Sequence, residues 1–222
     1  MRSTDALNLL YKDVINDDND LLKKENKWVL HCFYVGVASG RIAQKLGIDS
    51  DYAKALGYVH DIGRKISHPR HVPEGYKYMI ENGYEKEARS CITHSFINND
   101  INLVAGGGPN TPEKRNFIQN LLDKYGEATI YDNIVQLCDL FCLETGFTTI
   151  EHRVLDVYRR KGIYDNSKAH FEATLKLKEK FEKKMKCNLY YLFPEIKKED
   201  ILSIQDDYNE IENMLKGNIK RR

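Results

Sequence analysis

The stretch Gly57-Tyr58-Val59-His60-Asp61-Ile62-Gly63-Arg64-Lys65 places an imidazole beside a carboxylate at the predicted end of a helix. Neighbouring residues of a helix point about 100° apart, so these two side chains diverge within the helix itself. We expect Gly63 to stop the helix as a left-handed cap, which lets both side chains turn towards one ion beyond the helix end. A His-Asp pair carries weight only if further metal ligands occur elsewhere, and the chain offers His31, His71, His94 and Asp139.

The composition limits the class of protein. The chain has 222 residues, of which 41% are apolar and 30% charged, and its formal net charge is +1. These values are typical of a globular protein that buries a substantial core, without a global attraction to nucleic acid or membranes. The most apolar stretch, Trp28–Ala38, is too short to span a membrane. Five cysteines without a C-x-x-C pair predict reduced thiols and therefore a cytoplasmic protein.

Apolar residues recur at helical spacing along the chain, and no segment alternates as a strand would. Turn formers at Asn16–Asp20 end the first helix, and a charged helix leads to the terminal Lys220–Arg222. The pattern therefore predicts an all-α fold in one domain, residues 1–222. The other predicted helices cover approximately residues 4–15, 27–46, 52–60, 73–82, 84–96, 112–124, 128–144, 149–160 and 167–186.

Two predicted helices should be buried, and each carries one polar residue of interest: the helix 27–46 is apolar nearly all round in its middle, and the helix 128–144 has apolar residues at spacings of three and four. His31 shares a face with Val35 and Ile42, where a core histidine bonded to a carbonyl is the simpler interpretation. Asp139 lies in the middle of the predicted helix 128–144, where it cannot act as an N-cap. An ionised carboxylate buried alone is costly, so Asp139 must be paired, protonated or bound to a metal.

Imidazole and carboxylate groups without a thiolate suit Fe, Mn, Mg or Zn in a site that water can reach. Such an ion lowers the pKa of bound water and neutralises charge on a phosphoryl group. His94 and a histidine of the proline-broken loop 66–73 could complete a second ion site, and both His71 and His68 are candidates there. The first ion would take His31, His60, Asp61 and Asp139.

Residues 98–111 form the irregular part of the sequence and include three consecutive glycines, Gly106–Gly108. The Gly-Lys-Ser/Thr sequence of a phosphate-binding P-loop does not follow them, so that motif is excluded. Two interpretations stay open for this segment: a flexible connector, and a mobile flap over a site.

The order His31…His60-Asp61…Asp139 resembles the H…HD…D signature of the HD superfamily of metal-dependent phosphohydrolases, and residues 60–63 match its H-D-I-G form. Residues 71–75 and 92–94 resemble the two extra histidine positions of the branch that binds two metals. That branch includes bacterial dinucleoside-polyphosphate hydrolases and cyclic-dinucleotide phosphodiesterases. The resemblance covers about residues 26–160 and implies an all-α HD-domain helical bundle. Additional N-terminal helices and a C-terminal helical extension, residues 167–222, complete the chain.

The resemblance also implies residue roles. Asp61 would bridge the ions and act catalytically together with Arg64, which stands where the family usually has lysine. A guanidinium there could clamp phosphate oxygens in a bidentate manner. The expected substrate-binding residues are Arg64 with its neighbour Lys65, and Arg153, which shares a helix side with Ile150 and Val157 and would point inward, with a surface guanidinium as the alternative. The implied principal metal ligands are His31, His60, Asp61 and Asp139, and the second ion would be held by His71 and His94.

The expected function is hydrolysis of a phosphoester or phosphoanhydride of a nucleotide or related small phosphate, with one or two divalent ions. One alternative is a catalytically weak HD-fold module that senses a nucleotide and docks a partner on residues 167–222. Di-iron oxygenase chemistry is a third hypothesis, since similar ligands on this scaffold hold redox pairs. No membrane or nucleic-acid partner is expected.

Overall fold

A computed structural model of the chain describes residues 1–15 and 23–217, and the fold is all-α as predicted. The turn predicted at Asn16–Asp20 and the terminal Lys220–Arg222 lie outside these residues. No helix in the described ranges is both long and apolar enough to cross a membrane. The α-helices are α1 (Ser3–Tyr11), α2 (Lys27–Lys45), α3 (Ser50–Val59), α4 (His71–Glu81), α5 (Glu85–Thr93), α6 (Pro112–Tyr125), α7 (Ile130–Asp139), α8 (Ile150–Lys161), α9 (Ser167–Met185), α10 (Lys198–Leu202) and α11 (Ile204–Gly217).

Helix α2 runs through the middle of the fold and is buried on both sides. Val29 and Cys32 pack in one apolar cluster with α1, α3, α4 and α5. Val35 and Ala38 pack in a second cluster, which α7, α8 and α9 complete. This two-sided burial is what an apolar surface all round the helix predicts.

Helices α2 and α3 cross with their backbones in contact at Gly36 and Gly57. A Cβ atom on Gly57 would lie 2.6 Å from the Cα atom of Gly36, closer than side chains come to a backbone. The lack of a side chain at Gly57 therefore permits this close approach of the two helices. The crossing holds the end of α3, where His60 and Asp61 follow, against the part of α2 that carries His31.

Helix α7 is shorter than the helix predicted over residues 128–144, and that part of the prediction is wrong. Thr129 caps its start and forms a capping box with Asp132, and the helix ends at Asp139. Asp139 therefore lies in the last turn and not in the middle of a helix. Its carboxylate can face the space beyond the helix end, as the side chains of residues 60 and 61 do.

A short antiparallel hairpin follows α7, formed by β1 (Cys142–Leu143) and β2 (Gly146–Phe147). Its turn uses Gly146, whose φ of +131° is a conformation that side chains disfavour. The hairpin buries Phe141 and Phe147 in the cluster around α7 and α8, which explains why the helical pattern stops there.

The helices after residue 167 pack on the same side of α2 as α7 does. Phe171 and Phe181 of α9 are fully buried in one cluster with Phe141 behind the hairpin. Helix α11 lies against α8 and contributes the buried Ile211. The C-terminal extension thus helps to build the core that carries the last turn of α7.

The segment predicted to be irregular has no α-helix and contains two 3-10 turns, Ile97–Asn99 and Ala105–Gly107. Gly106, Gly107 and Gly108 have φ values of +75°, +82° and +75°, which glycine adopts without strain. The side-chain amide of Asn166 donates hydrogen bonds to the carbonyls of Asn102 (3.0 Å) and Val104 (2.7 Å). The glycine segment is therefore tied to the start of α9.

Candidate metal centre

His60 and Asp61 follow α3 directly and are 0% and 2% exposed. Helix α3 ends at Val59, so the chain leaves the helix before Gly63 and turns into a 3-10 helix, Ile62–Lys65. The two side chains consequently point towards the same interior space. The predicted convergence of this pair at a helix end is confirmed.

The predicted reason for Gly63 is wrong. Its φ is negative, so it is not a left-handed cap. A Cβ atom at this position would lie 2.0 Å from the carbonyl oxygen of His71 and 2.3 Å from the amide nitrogen of Gly75. Glycine is needed because the first turns of α4 press against the chain here, and this contact brings His71 to Asp61.

One half of the centre lies between α2, α3 and α7. The Nε2 atom of His31 lies 2.9 Å from Oδ1 of Asp139, and Nε2 of His60 lies 4.0 Å from the same oxygen. The His60 atom also lies 3.9 Å from Oδ2 of Asp61. Ligand atoms of His31, His60 and Asp61 all lie within 4.8 Å of one another, so one ion could reach them together.

The other half lies between Asp61 and two histidines from α4 and the end of α5. Oδ1 of Asp61 lies 3.2 Å from Nε2 of His71 and 3.4 Å from Nε2 of His94. Ligand atoms of these three residues also lie within 4.8 Å of one another, and a third such group joins His60, His94 and Asp139. All six predicted ligands therefore meet in one cluster.

The four histidines of the cluster share a second feature: each ring bonds a backbone carbonyl through Nδ1. Because a carbonyl oxygen only accepts, Nδ1 carries the proton and the neutral ring keeps a lone pair on Nε2. This arrangement is typical of histidines that bind a metal through the other ring nitrogen. The bonds are His31 to Cys142 (3.2 Å), His60 to Gly57 (2.7 Å), His71 to His68 (2.8 Å) and His94 to Ser90 (3.0 Å).

Two atoms at the middle of the cluster have no hydrogen-bond partner within residues 1–15 and 23–217. They are Nε2 of His60 and Oδ1 of Asp61, and both are shielded from solvent. Buried polar atoms are almost always satisfied, so such atoms need an explanation. A divalent ion that takes both lone pairs supplies one, and the imidazole and carboxylate donors suit Fe, Mn or Zn.

The charges of the cluster are those that a cation requires. Burial raises the pKa of Asp61, but the adjacent guanidinium of Arg64 and the imidazoles around the carboxylate together outweigh burial and hold this pKa well below its ordinary value. Burial likewise raises the pKa of Asp139, but the hydrogen bond and charge of His31 together with the other imidazoles outweigh burial, so this pKa is lowered. Burial lowers the pKa of His60 to about 3. Near neutral pH, ionised carboxylates therefore face a neutral imidazole, the protonation states in which these groups bind a metal.

We expect the metal-free protein to lose stability as the pH falls from 7 to 4. Between the unfolded pKa of about 6.5 and the native value, unfolded His60 binds a proton that native His60 does not. One such group lowers the free energy of unfolding by about 1.4 kcal/mol per pH unit. Urea titrations in EDTA should give a smaller pH slope for His60→Asn, whose amide replaces Nδ1–H but does not titrate. An unchanged slope would contradict a buried neutral His60.

The three cationic side chains predicted to bind substrate lie at different distances from the cluster. Arg64 donates from Nε to Oδ2 of Asp61, so it belongs to the cluster. Arg153 lines a cavity together with Asp139. The structure does not bring Lys65 there, because its ammonium donates to the carbonyl of Leu9 (2.7 Å) at the end of α1. This placement does not favour the predicted contact of Lys65 with substrate.

His68, the alternative to His71, lies outside the cluster. Its side chain is exposed, and its Nδ1 atom lies 3.4 Å from Nη1 of Arg64. It contributes a backbone carbonyl to the ring of His71 instead. The histidine beside Asp61 is therefore His71.

Two cavities of about 90 and 80 Å³ adjoin the cluster, and Asp139 lines both. His170 of α9 also lines both cavities, and it is not among the site residues predicted from the sequence. Helical spacing could have indicated that His170 faces inward: it precedes Thr174 by four positions and Leu177 by seven, and all three residues are buried. Ala105, at the start of the glycine segment, closes both cavities on another side.

Comparison with known families agrees with the geometry. The HD domain model matches residues 29–142, slightly more than half of the chain, and this segment contains all six clustered side chains. Searches of curated proteins and of solved structures found no match. The chain belongs to the HD domain family.

Proposed function

We propose that the protein is a metal-dependent phosphohydrolase that cleaves a phosphoester or phosphoanhydride bond of a nucleotide or related small phosphate. The observation that carries the proposal is the set of four imidazoles, each anchored through Nδ1, whose Nε2 atoms face two buried carboxylates. Membership of the HD domain family supports the reaction class. The five cysteines, all free, support a cytoplasmic location.

The ligand assignment follows the two halves of the cluster. His31, His60, Asp61 and Asp139 would hold one ion, and His71 with His94 would hold a second next to Asp61. A bound divalent ion would lower the pKa of a water molecule and offset charge on a phosphoryl group.

The remaining work falls to side chains around the ions. Arg64 holds Asp61 in place through Nε, and its side chain is 29% exposed, so its terminal N–H groups can reach a substrate oxygen. Arg153 lies 3.3 Å from Asp156 and borders the cavity next to Asp139. Guanidinium groups are well suited to phosphate oxygens because they donate in pairs. We assign both to substrate binding, and Asp61 and Arg64 to the catalytic centre.

The direct test is phosphate release from a panel of nucleotides and small phosphate esters, with Mn²⁺ or Fe²⁺ added to protein first stripped with EDTA. We expect release that depends on the metal. The absence of metal-dependent release from every substrate would contradict the proposal. Tight nucleotide binding by calorimetry without turnover would favour the sensing module in its place.

We expect His71→Ala to lower the metal content by about one ion per chain, because this side chain faces Oδ1 of Asp61 at 3.2 Å. His68→Ala is the matched control, since the exposed side chain of His68 lies outside the cluster. Elemental analysis of both purified variants measures the effect. Equal metal content in the two variants would argue against a second ion site.

A further inference from the structure

His170 is a buried histidine outside the candidate metal-ligand groups. It lies in α9, outside the matched residues 29–142, and is 3% exposed. Its Nδ1 atom has no hydrogen-bond partner in the described part of the chain. Leaving a buried polar atom unsatisfied costs stability, which a protein retains where a ligand provides the partner.

The position of His170 points to the kind of ligand. The residue lines both cavities beside Asp139, one of which extends to Arg153 and the other to His94. Volumes of about 90 and 80 Å³ are far below the roughly 300 Å³ of a pocket that encloses a whole organic ligand. They suit a phosphoryl group whose remaining substituent extends outwards.

The side chains that line the cavity next to Arg153 can bind an anionic group. Burial lowers the pKa of His170 to about 4, so its ring is neutral near pH 7 and offers one N–H donor. Arg153 supplies a positive charge to the same cavity, and Leu140, Val154 and Val157 form apolar walls. Hydrogen bonds are stronger in such a low-dielectric setting than in water.

We propose that His170 donates a hydrogen bond to a phosphoryl oxygen of the substrate, in the cavity that Arg153 and Asp139 also line. The proposal rests on the proposed function and extends it, because the contact comes from a helix beyond the segment that matches the family. It makes the C-terminal extension part of the substrate site.

The test is the binding of inorganic phosphate to the full-length protein loaded with Mn²⁺, measured by calorimetry for three variants. His170→Leu should weaken binding by about 10-fold or more, since a hydrogen bond to a charged group is lost. Its melting temperature should be equal or higher, because an unpartnered polar group is removed, and its manganese content should not change. His170→Gln, which keeps an N–H donor, should retain most of the affinity. His152→Leu is the control: this histidine is 41% exposed and pairs with Asp207.

Each outcome decides the proposal. Unchanged phosphate affinity in His170→Leu overturns it, whether or not the melting temperature falls. Loss of manganese also overturns it, because His170 would then act on the metal. If wild-type protein neither binds phosphate nor releases it from any substrate, the proposed function fails and this proposal fails with it. Wild-type turnover together with an unaffected His170→Leu variant rejects only the role of His170.

Discussion

Asp61→Asn is expected to lower metal-dependent phosphate release by more than about 100-fold and to remove most of the bound metal. Replacement of a residue that only supports a ligand already costs about 10–100-fold, so loss of a shared ligand should cost more. Asp61 is the proposed shared ligand, because its carboxylate faces His60 on one side and both His71 and His94 on the other. An amide keeps the size of the side chain but removes the charge that attracts the cation.

The measurement combines elemental analysis with initial rates of phosphate release, on protein whose fold is checked by circular dichroism. Asp132→Asn is the matched control, because Asp132 is also a buried carboxylate, 4% exposed, but lies outside the metal-ligand groups. Its partners are Arg89 and Thr93, with Thr129 of the capping box. The control should lose stability and keep its metal. Asp61→Asn protein with a full metal complement would refute the shared-ligand assignment.

The ligand set could be predicted from the sequence because its members conflict with their surroundings. His31 and Asp139 each have apolar neighbours on their own side of a buried helix, and a buried carboxylate needs a counter-charge. Such a conflict is visible in a single sequence, and the structure resolves it by placing the two side chains 2.9 Å apart. The order of the residues then indicated the HD domain family, and the family model matches the same segment.

Features that depend on long-range contacts were not predictable in this way. The pattern of α7 continues into residues 140–144, but burial of Phe141 and Phe147 favours the hairpin there. Lys65 follows the motif closely in sequence, yet its ammonium bonds the end of α1. His170 is some 30 positions beyond Asp139, and only the packing of α9 against α7 brings the two to one cavity. Local spacing contains none of this information.

Gly63 shows how the packing and the metal centre depend on each other, and Gly63→Ala should destabilise the protein by about 1–3 kcal/mol. The added methyl group would lie 2.0 Å from the carbonyl oxygen of His71 and 2.3 Å from the amide nitrogen of Gly75. These are backbone atoms, so the steric overlap can be removed only if α4 moves away from the 3-10 helix Ile62–Lys65. His71 begins α4, and the movement would draw its ring away from Oδ1 of Asp61.

The same variant should therefore lose about one metal ion per chain, while the half of the centre formed by His31, His60 and Asp139 keeps its ion. Urea unfolding and elemental analysis measure the two effects together.

Gly40→Ala is the matched control, because a Cβ atom there would meet Lys54 and the carbonyl of Ser50 at an ordinary 3.4 Å. Alanine inside a helix is favoured over glycine by about 0.5–1 kcal/mol, so this control should gain stability and keep both ions. Gly63→Ala protein as stable as the wild type would mean that α4 does not press on the turn. The link between the H-D-I-G glycine and the position of His71 would then be lost.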